Sequence, residues 1–541
     1  MPENMQPYAT TLNLASIVTH HARQTPNNEA VIWNDVRMTY VQLDAASNRV
    51  ANALTEMGIG HDDKVALVCP NLPQFPIVYY GIMKAGAVVV PLNCLFKSRE
   101  FKYHLSDSDA KAVFVFEGTD ELPMAQTVKE AFDQVSSCER LIVITKDPSV
   151  PSPLPEHQTL TEITADKSEK FDIYPTRPDD TCTILYTSGT TGQPKGAELT
   201  HANIWMNAAA SYSMHLPAVD FTEDEHLTCL ITLPLFHTTG QTVQMNASLY
   251  GGMRVVLLPR FDPKATLEAM VKEKANFWVG VPTMYWSILK YIEETGFDPS
   301  PIVESMKVPT SGGAPMPVEL IEKFKKIFGI GMCEGYGLTE TSPLACFNHL
   351  SRPAKPGTVG QPLMGTEVKC FDDDDSEVPR GERGEVVIRG HHIMKGYYKR
   401  PEATAEAFRN GWFHTGDIGI MDADGYLAIV DRKKDMILRG GYNVYPRELE
   451  EVIITHPAVS LCAVVGVPDE RLGEEVKAFV VLKQGAELSA EDLIGWCKTQ
   501  FAANKYPRYV EFRESLPIGG TGKIIKRALR EEVAAAVGKQ D

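Results

Sequence analysis

The chain has 541 residues, of which 43% are hydrophobic and 23% are charged, and its formal net charge is -17. That length exceeds what one hydrophobic core usually serves, so two or more domains are expected. The acidic balance argues against a general nucleic-acid binder, and no run in the sequence reaches the ~18 apolar residues of a membrane span.

The first half of the chain alternates strand-like and helix-like segments. Thr39 is a candidate N-cap for a helix that runs to Gly58, and a second helix is predicted at 75–86. Strands that alternate with helices indicate βαβ units and mostly parallel sheets. Strands are predicted at 31–35, 64–69, 87–93, 110–116, 226–236, 253–259 and 276–282.

The pattern changes after about residue 355, where short turn-rich segments predict antiparallel sheet. Asp424-Gly425 fits a tight hairpin. From about residue 435 the order helix, strand, strand, helix, strand, helix predicts a separate α+β domain. We therefore expect an N-terminal domain at 1–431, a link at 432–435 and a C-terminal domain at 436–541.

The cysteines and the chain ends bear on the compartment. The 10 cysteines show no C-x-x-C and no metal-like spacing, as is typical of a reduced cytosolic protein. The N-terminal stretch MPENMQPYATTLNL lacks the pattern of a signal peptide, and VGKQD is not a peroxisomal address. A cytoplasmic protein is expected.

One glycine-rich stretch, TSGTTGQPKG at 187–196, has the composition of a phosphate-binding loop. It is not a Walker loop, because Gln193 and Pro194 separate Gly192 from its lysine. Glycines let backbone amides converge on an anion, hydroxyls add donors, and the lysine adds charge. A plain flexible turn is the alternative. The candidate phosphate ligands are Thr187, Ser188, Gly189, Thr190, Thr191, Gly192 and Lys195.

The loop resembles that of the adenylate-forming superfamily, which includes acyl-CoA synthetases, coumarate-CoA ligases and luciferases. Further motifs of that superfamily follow in order: PLFHTTG (234–240), SGGAP (311–315), EGYGLTETSP (334–343), WFHTGD (412–417), DRKKDMILRGGYNVYPRELE (431–450) and PIGGTGKIIKR (517–527). The resemblance implies an α/β plus α+β fold. A large N-terminal domain would hold βα-layered sheets and a small β-barrel-like subdomain, and a small C-terminal α+β domain would be mobile.

The resemblance also implies a two-step reaction on a small-molecule carboxylic acid. The acid attacks the α-phosphate of ATP to give acyl-AMP and pyrophosphate, and the thiol of coenzyme A then displaces AMP. The first step needs charge stabilisation more than acid–base chemistry, since a carboxylate is already ionised at neutral pH. ATP, Mg²⁺ and coenzyme A are therefore the expected cofactors and co-substrates.

Site roles carried over from the resemblance fall on the matching motifs. The glycine-rich loop would hold the β- and γ-phosphates. Tyr336 would stack on adenine, Thr339 would contact the α-phosphate, and Glu340 would bind Mg²⁺, which prefers oxygen ligands. Asp417 and Arg432 would meet the ribose, with a structural ion pair between them as the alternative. The other expected nucleotide-binding residues are Gly313, Ala314, Pro315, Glu334, Gly335 and Gly337.

The C-terminal segment would supply the catalytic lysine, Lys523, which bridges the carboxylate and the α-phosphate in the transition state. Because Lys523 and the loop lie on different domains, the small domain must swing, with Lys434 as the pivot. After adenylation the rotation would bring Gly440, Gly441 and Tyr442 beside a tunnel for coenzyme A.

The substrate acid is less determined. His237 and its surroundings resemble the acyl pocket of fatty acyl-CoA synthetases, and Gly240, Ala247 and Ser248 would leave room for a chain. A medium- to long-chain fatty acid is the first expectation and an aryl or arylpropenoic acid the second. An acyl-AMP ligase acting on a carrier protein and a binding-only relative are further alternatives. A monomer and a homodimer are equally compatible with the sequence.

Overall fold

The computed structural model describes residues 10–187, 193–215, 226–350, 354–469 and 471–537. In chain order its elements begin with α1 (Ser16–Gln24), β1 (Glu29–Trp33), β2 (Val36–Thr39), α2 (Tyr40–Glu56), β3 (Lys64–Val68), α3 (Gln74–Lys84), β4 (Val88–Pro91), α4 (Ser98–Asp107), β5 (Ala110–Phe116), α5 (Met124–Phe132), β6 (Arg140–Ile144), α6 (Leu160–Thr164), β7 (Thr181–Thr187) and β8 (Lys195–Thr200).

The middle of the chain holds α7 (His201–His215), β9 (Thr228–Ile231), a π-helix (Thr239–Asn246), α8 (Ala247–Tyr250), β10 (Arg254–Leu257), α9 (Pro263–Lys272), β11 (Phe277–Gly280), α10 (Pro282–Thr295), α11 (Ser300–Ser305), β12 (Val308–Gly312), α12 (Val318–Phe328), β13 (Cys333–Gly337), a 3-10 turn (Thr339–Thr341), β14 (Leu344–Phe347) and β15 (Gln361–Pro362).

The remaining elements are β16 (Thr366–Phe371), β17 (Arg383–Gly390), β18 (Gly396–Tyr397), α13 (Pro401–Ala407), β19 (Phe408–Arg409), β20 (Trp412–Met421), β21 (Leu427–Arg432), β22 (Ile437–Arg439), β23 (Tyr442–Val444), α14 (Pro446–Ile453), β24 (Val459–Asp469), β25 (Gly473–Leu482), α15 (Ala490–Gln500), β26 (Tyr509–Phe512) and α16 (Lys526–Val537). Among the described residues, no helix has both the length and the apolar character needed to cross a membrane.

Two mostly parallel sheets dominate the larger part of the chain. A 7-stranded sheet has the order β18-β8-β7-β4-β3-β5-β6, and a 9-stranded sheet has the order β15-β14-β13-β12-β11-β9-β10-β1-β2. The central strands of both pair in parallel, while antiparallel strands such as β8 and β14 lie toward the edges. The predicted layered α/β arrangement is confirmed, with β1 placed beside β10 by its parallel register Val31↔Val255.

Local sequence accounts for individual elements. The Thr39 hydroxyl accepts a hydrogen bond from the Gln42 backbone N–H, and the Gln42 side chain accepts one from the Thr39 N–H, which forms a capping box. The predicted start of α2 is therefore confirmed. Gly425 lies in the turn between β20 and β21 at φ +82°, as the Asp424-Gly425 pair predicts.

Two smaller sheets complete the fold. β16, β17, β19, β20 and β21 form a 5-stranded antiparallel sheet where the sequence predicts antiparallel structure. β22 to β26 form a second 5-stranded sheet, packed with α14 and α16 as the predicted small α+β unit. The predicted link at 432–435 comprises the last residue of β21 and the turn that leads to β22. The domain boundaries themselves stay a prediction.

Lys84 is a charged side chain buried in the core of the larger part. Lys84 is 0% exposed, and its Nζ donates to Asp44 Oδ1 at 2.6 Å and to Asn48 Oδ1 at 2.7 Å. Burial lowers the pKa of Lys84 to about 8, and the charge of Asp44 opposes that shift. This pair joins α2 to α3, so the packing of the two helices depends on charge compensation.

We expect Asp44→Ala to destabilise the protein by about 3 kcal/mol, because it leaves the Lys84 ammonium buried without a countercharge. Urea unfolding followed by tryptophan fluorescence measures the change. Asp133→Ala is the matched control, since it removes an exposed partner of Lys129 and should leave the midpoint unchanged. Equal midpoints for the two variants would contradict the assigned importance of the buried pair.

Candidate active site

The glycine-rich stretch joins the two strands of a β-hairpin. Thr187 is the last residue of β7, and Lys195 is the first of β8 and its antiparallel partner. Ser188, Gly189, Thr190, Thr191 and Gly192 lie outside the described residues. The stretch thus follows strand and precedes strand, whereas a Walker loop leads from a strand into a helix.

One large cavity, about 1890 Å³ in volume, collects most of the predicted site residues. Its wall includes residues from both sheets of the larger part, from β20 and β21, and from the small C-terminal unit. The predicted residues that line it are Thr187, Lys195, His237, Gly313, Ala314, Pro315, Glu334, Gly335, Tyr336, Gly337, Thr339, Glu340, Asp417, Arg432, Lys434 and Lys523.

The Tyr336 side chain lies near the carboxyl end of β13, and a hydrogen bond fixes its hydroxyl group. Its hydroxyl donates to Asp417 Oδ2 at 2.6 Å, while the ring borders the cavity. The turn of Gly313, Ala314 and Pro315 follows the neighbouring strand β12 and borders the same space. A flat ring and a turn without bulky side chains on the wall of one cavity suit a planar heterocycle.

Asp417 and Arg432 are cross-strand neighbours on β20 and β21. Arg432 Nε lies 3.2 Å from Asp417 Oδ1, and the Asp417 side chain is 5% exposed. Burial raises the pKa of the Asp417 carboxyl, while Arg432 and the Tyr336 hydrogen bond act in the opposite direction. The structural ion pair weighed as an alternative is therefore present, and both of its side chains also border the cavity.

Glu334 is a buried carboxyl close to the Gly313–Pro315 turn. Its Oε1 accepts a hydrogen bond from the Met316 backbone N–H at 3.3 Å. Burial raises the pKa of Glu334 to about 7, with the charge of Arg447 opposing the shift. The group thus titrates near neutrality within the cavity wall.

Glu340 has a partner that sequence reasoning missed. The Tyr397 hydroxyl donates to Glu340 Oε1 at 2.8 Å, and Lys195 Nζ lies 4.9 Å from the centroid of the Tyr397 ring. Tyr397 thus contacts both an expected metal ligand and the lysine of the hairpin. Its position 57 residues after Glu340 offers no local signal for this contact.

The donor set at Glu340 fits Mg²⁺ bound together with a nucleotide. Among the described residues, no three histidine, cysteine, aspartate or glutamate side chains gather into a metal-binding cluster. Mg²⁺ commonly uses one or two carboxylates and takes its other ligands from phosphates and water. The oriented carboxylate of Glu340 at the cavity wall meets that requirement.

Lys523 reaches the cavity from the turn before α16. A Cβ built on Gly313 would lie 2.9 Å from Lys523 Cε and 3.2 Å from its Nζ, so the lysine packs directly on the glycine backbone. Burial lowers the pKa of Lys523 to about 8, Arg432 lowers it further, and Asp417 opposes both. The amine therefore lies beside the turn that borders the Tyr336 ring.

His237 borders the cavity next to Lys523, at the entrance to the π-helix. Its Nδ1 accepts from the Thr239 backbone N–H at 3.3 Å, which leaves Nε2 to carry the proton of the neutral ring. Burial and the charge of Lys523 lower the pKa of His237 to about 3. The imidazole is thus neutral at pH 7 and can donate a hydrogen bond but not a net positive charge.

The interpretation of Gly240, Ala247 and Ser248 as room for a chain stays a prediction. None of them lines the cavity. A Cβ on Gly240 would lie 2.5 Å from the carbonyl oxygen of Pro234, so this glycine permits a close backbone approach. Ala247 and Ser248 are buried in α8.

Three predicted residues lie away from the cavity. Gly440, Gly441 and Tyr442 form the tip of the β22–β23 hairpin, and Tyr442 is 61% exposed. Lys434, the predicted pivot, borders the cavity instead. The structure thus brings Lys523 to the site and leaves the predicted coenzyme A segment facing outward.

The small unit also carries charged residues that sequence reasoning missed. Arg530 pairs with Asp435 at 2.7 Å, and Lys526 pairs with Glu450 at 2.7 Å. The Arg447 backbone N–H donates to Asp431 Oδ2 at 3.0 Å. These contacts join α16 to the link, α16 to α14, and α14 to β21, and sequence spacing gives no signal for them.

The titration of Lys523 can be checked directly. We expect its amine to be about half deprotonated at pH 8, and Arg432→Gln to move its pKa upward by removing a neighbouring positive charge. Competitive acetylation from pH 7 to 11 with peptide mass spectrometry measures both values. Lys129 is the internal comparison, because its hydrogen bond to Asp133 raises its pKa. Identical titration of the two amines would contradict the environment described for Lys523.

Comparisons with known proteins agree with this geometry. Residues 18–398 match the family described as AMP-binding enzyme, and residues 448–523 match the AMP-binding enzyme C-terminal domain. A long-chain-fatty-acid–CoA ligase of Bacillus subtilis (strain 168) is 36% identical, with 96% of this chain and 94% of the relative covered. A feruloyl-CoA synthase of Amycolatopsis sp is 37% identical, with 96% and 98% covered.

A solved structure extends the similarity to three dimensions. The anthranilate CoA ligase AuaEII, in complex with anthranoyl-AMP, superposes with a TM-score of 0.87 at 28% sequence identity. The match covers 99% of this chain and 100% of that one. The layered sheets and the small C-terminal unit are thus those of an acyl-CoA ligase.

Proposed function

The chain belongs to the AMP-binding enzyme family, and we propose that it is an ATP-dependent acid–CoA ligase whose substrate is a medium- to long-chain fatty acid. One observation carries the proposal. The Lys523 amine lies against Gly313 in the same cavity that Tyr336, Asp417 and Glu340 border. A cation next to a nucleotide-shaped site is what adenylation of a carboxylate requires.

In the first half-reaction a carboxylate oxygen of the acid attacks the α-phosphorus of ATP. The bond from that phosphorus to the bridging oxygen breaks, and pyrophosphate leaves. The ammonium of Lys523 would stabilise the charge on the attacking and α-phosphate oxygens, with Thr339 as a further donor; both residues line the cavity. Mg²⁺ held by Glu340 would neutralise phosphate charge. His237 Nε2 would donate to the acid.

The other residues that line the cavity would bind the adenine, the ribose and the pyrophosphate. Tyr336, Gly313, Ala314 and Pro315 would hold adenine, with Glu334 and the two motif glycines beside it. Asp417 and Arg432 would hold the ribose while remaining paired with each other. Lys195 and Thr187, at the base of the hairpin, would hold the departing pyrophosphate.

In the second half-reaction the coenzyme A sulfur attacks the acyl carbon, and AMP leaves. Lys523 has no place in this step, and a rotation at Lys434 would withdraw it. The same rotation would bring the exposed tip formed by Gly440, Gly441 and Tyr442 to the site. No insertion separates Asp431 from Pro446, which favours coenzyme A over a carrier protein as acceptor.

The apolar wall near His237 supports an aliphatic acid. Phe236, Val243 and Val279 give the cavity wall an apolar surface. The long-chain-fatty-acid–CoA ligase relative points the same way. The second candidate is an aryl or arylpropenoic acid, because the feruloyl-CoA synthase is equally similar to this chain.

A screen of acids tests the substrate. We expect ATP-dependent pyrophosphate release to rise along a series of straight-chain acids from butanoate to hexadecanoate, and to exceed the release with benzoate and ferulate. Pyrophosphate release is measured by coupled phosphate detection, with and without coenzyme A. Lys523→Ala is the control for background hydrolysis of ATP. A sharp optimum at ferulate with flat aliphatic rates would replace the fatty acid by the second candidate.

The pivot has a separate test. Lys434 lies between two hydrogen-bonded turn residues, Lys433 and Asp435, whose backbone N–H groups donate to Gly416 and Arg432. Lys434→Pro restricts the backbone at this position. We expect pyrophosphate release to stay measurable while thioester formation falls by about tenfold or more. Both rates, followed by phosphate release and by thiol consumption, would fall equally if Lys434 were not the pivot.

A further inference from the structure

The turn that carries Lys523 rests on the first turn of α10. The Thr283 hydroxyl donates to the Gly522 carbonyl oxygen at 2.5 Å, across 239 residues of sequence. Gly522 immediately precedes Lys523. The hydrogen bond therefore fixes the backbone one residue away from the amine that reaches Gly313.

Glycines allow the turn of Lys523 to pack closely against the start of α10. A Cβ on Gly522, whose φ is +79°, would lie 2.7 Å from Val281 Cγ2, next to Thr283. The turn is closed on itself, since the Gly522 N–H donates to the Gly519 carbonyl and the Gly519 N–H donates to the Lys523 carbonyl, both at 2.8 Å. A rigid turn thus docks on α10 as one unit.

α10 makes a second contact with the small unit on the same face. Trp286, three residues after Thr283, donates from its indole Nε1 to Ser460 Oγ at 3.1 Å. Residues spaced by three project from one side of a helix. The first turns of α10 therefore present two hydrogen-bond donors to the unit that lies beyond the predicted hinge.

We propose that Thr283 is a positioning residue for acid adenylation, acting through its hydrogen bond to the backbone of the Lys523 turn. The inference rests on the proposed function and deepens it. Withdrawal of Lys523 for the thiol step breaks this bond, so the hydroxyl stabilises the docked orientation alone. Thr283 should therefore affect one half-reaction and spare the other.

The test compares Thr283→Val, which keeps the shape and removes the donor, with Thr283→Ser, which keeps the donor. With dodecanoate and ATP we expect Thr283→Val to slow pyrophosphate release about fivefold, because one hydrogen bond is lost, and Thr283→Ser to release pyrophosphate near the wild-type rate. Thiolysis of supplied dodecanoyl-AMP by coenzyme A should be unchanged or faster. An equal fall in both half-reactions, or no change in either, overturns the proposal.

A second readout needs no substrate. Undocking exposes the link, so trypsin should cleave after Arg432, Lys433 or Lys434 several-fold faster in Thr283→Val than in Thr283→Ser. Thr295→Val is the matched control, because Thr295 is exposed at the other end of α10 and bonds within its own helix. Equal cleavage of all variants overturns the Thr283 inference. If the wild type releases no pyrophosphate while trypsin still cleaves Thr283→Val faster, the fatty-acid function alone is refuted.

Discussion

The methylene chain of Lys523 lies against the backbone of Gly313. This close contact brings the C-terminal unit to the cavity wall that the larger part of the chain forms. Any side chain at 313 would place a carbon 2.9 Å from Lys523 Cε. The turn after β12 must therefore stay bare for the last segment of the chain to enter. Gly522 imposes the same condition on the other partner, because its missing Cβ leaves space for Val281. Two glycines 209 positions apart, by the difference of their numbers, thus determine one docked geometry.

Electrostatics couples the groups that meet there. Burial raises the pKa of Asp417 and lowers that of Lys523, so it disfavours the charged form of each. Arg432 opposes the first shift and reinforces the second. An anionic ligand would reverse the effect on the lysine, because a nearby negative charge favours the ammonium. Binding of a nucleotide would therefore raise the pKa of the Lys523 amine and keep it in its charged form.

Much of this arrangement follows from local sequence, and the rest does not. The capping box of α2, the Asp424-Gly425 turn and the order of elements in the small unit leave local signals in residue type and spacing. The contact of Tyr397 with Glu340 leaves none, because a tyrosine that packs in a core has the same neighbours in sequence. Gly240 is a related case, because its close approach to the Pro234 carbonyl oxygen leaves no signal in the sequence. A glycine that opens space and one that admits a carbonyl are identical in sequence, and only the Pro234 oxygen distinguishes them.

The hairpin bears on the different roles proposed for Lys195 and Lys523. Its base is held from α4, where Tyr103 donates to the Pro194 carbonyl at 2.6 Å and Asp107 accepts from the Tyr186 hydroxyl at 2.8 Å. Lys195 is therefore tied to a fixed strand and cannot leave the site between half-reactions. In the proposed reaction, a cation that acts on the α-phosphate and then makes way for a thiol would come from a part that moves. Lys523 fits that proposal, because its turn belongs to the small C-terminal unit and accepts a hydrogen bond from Thr283.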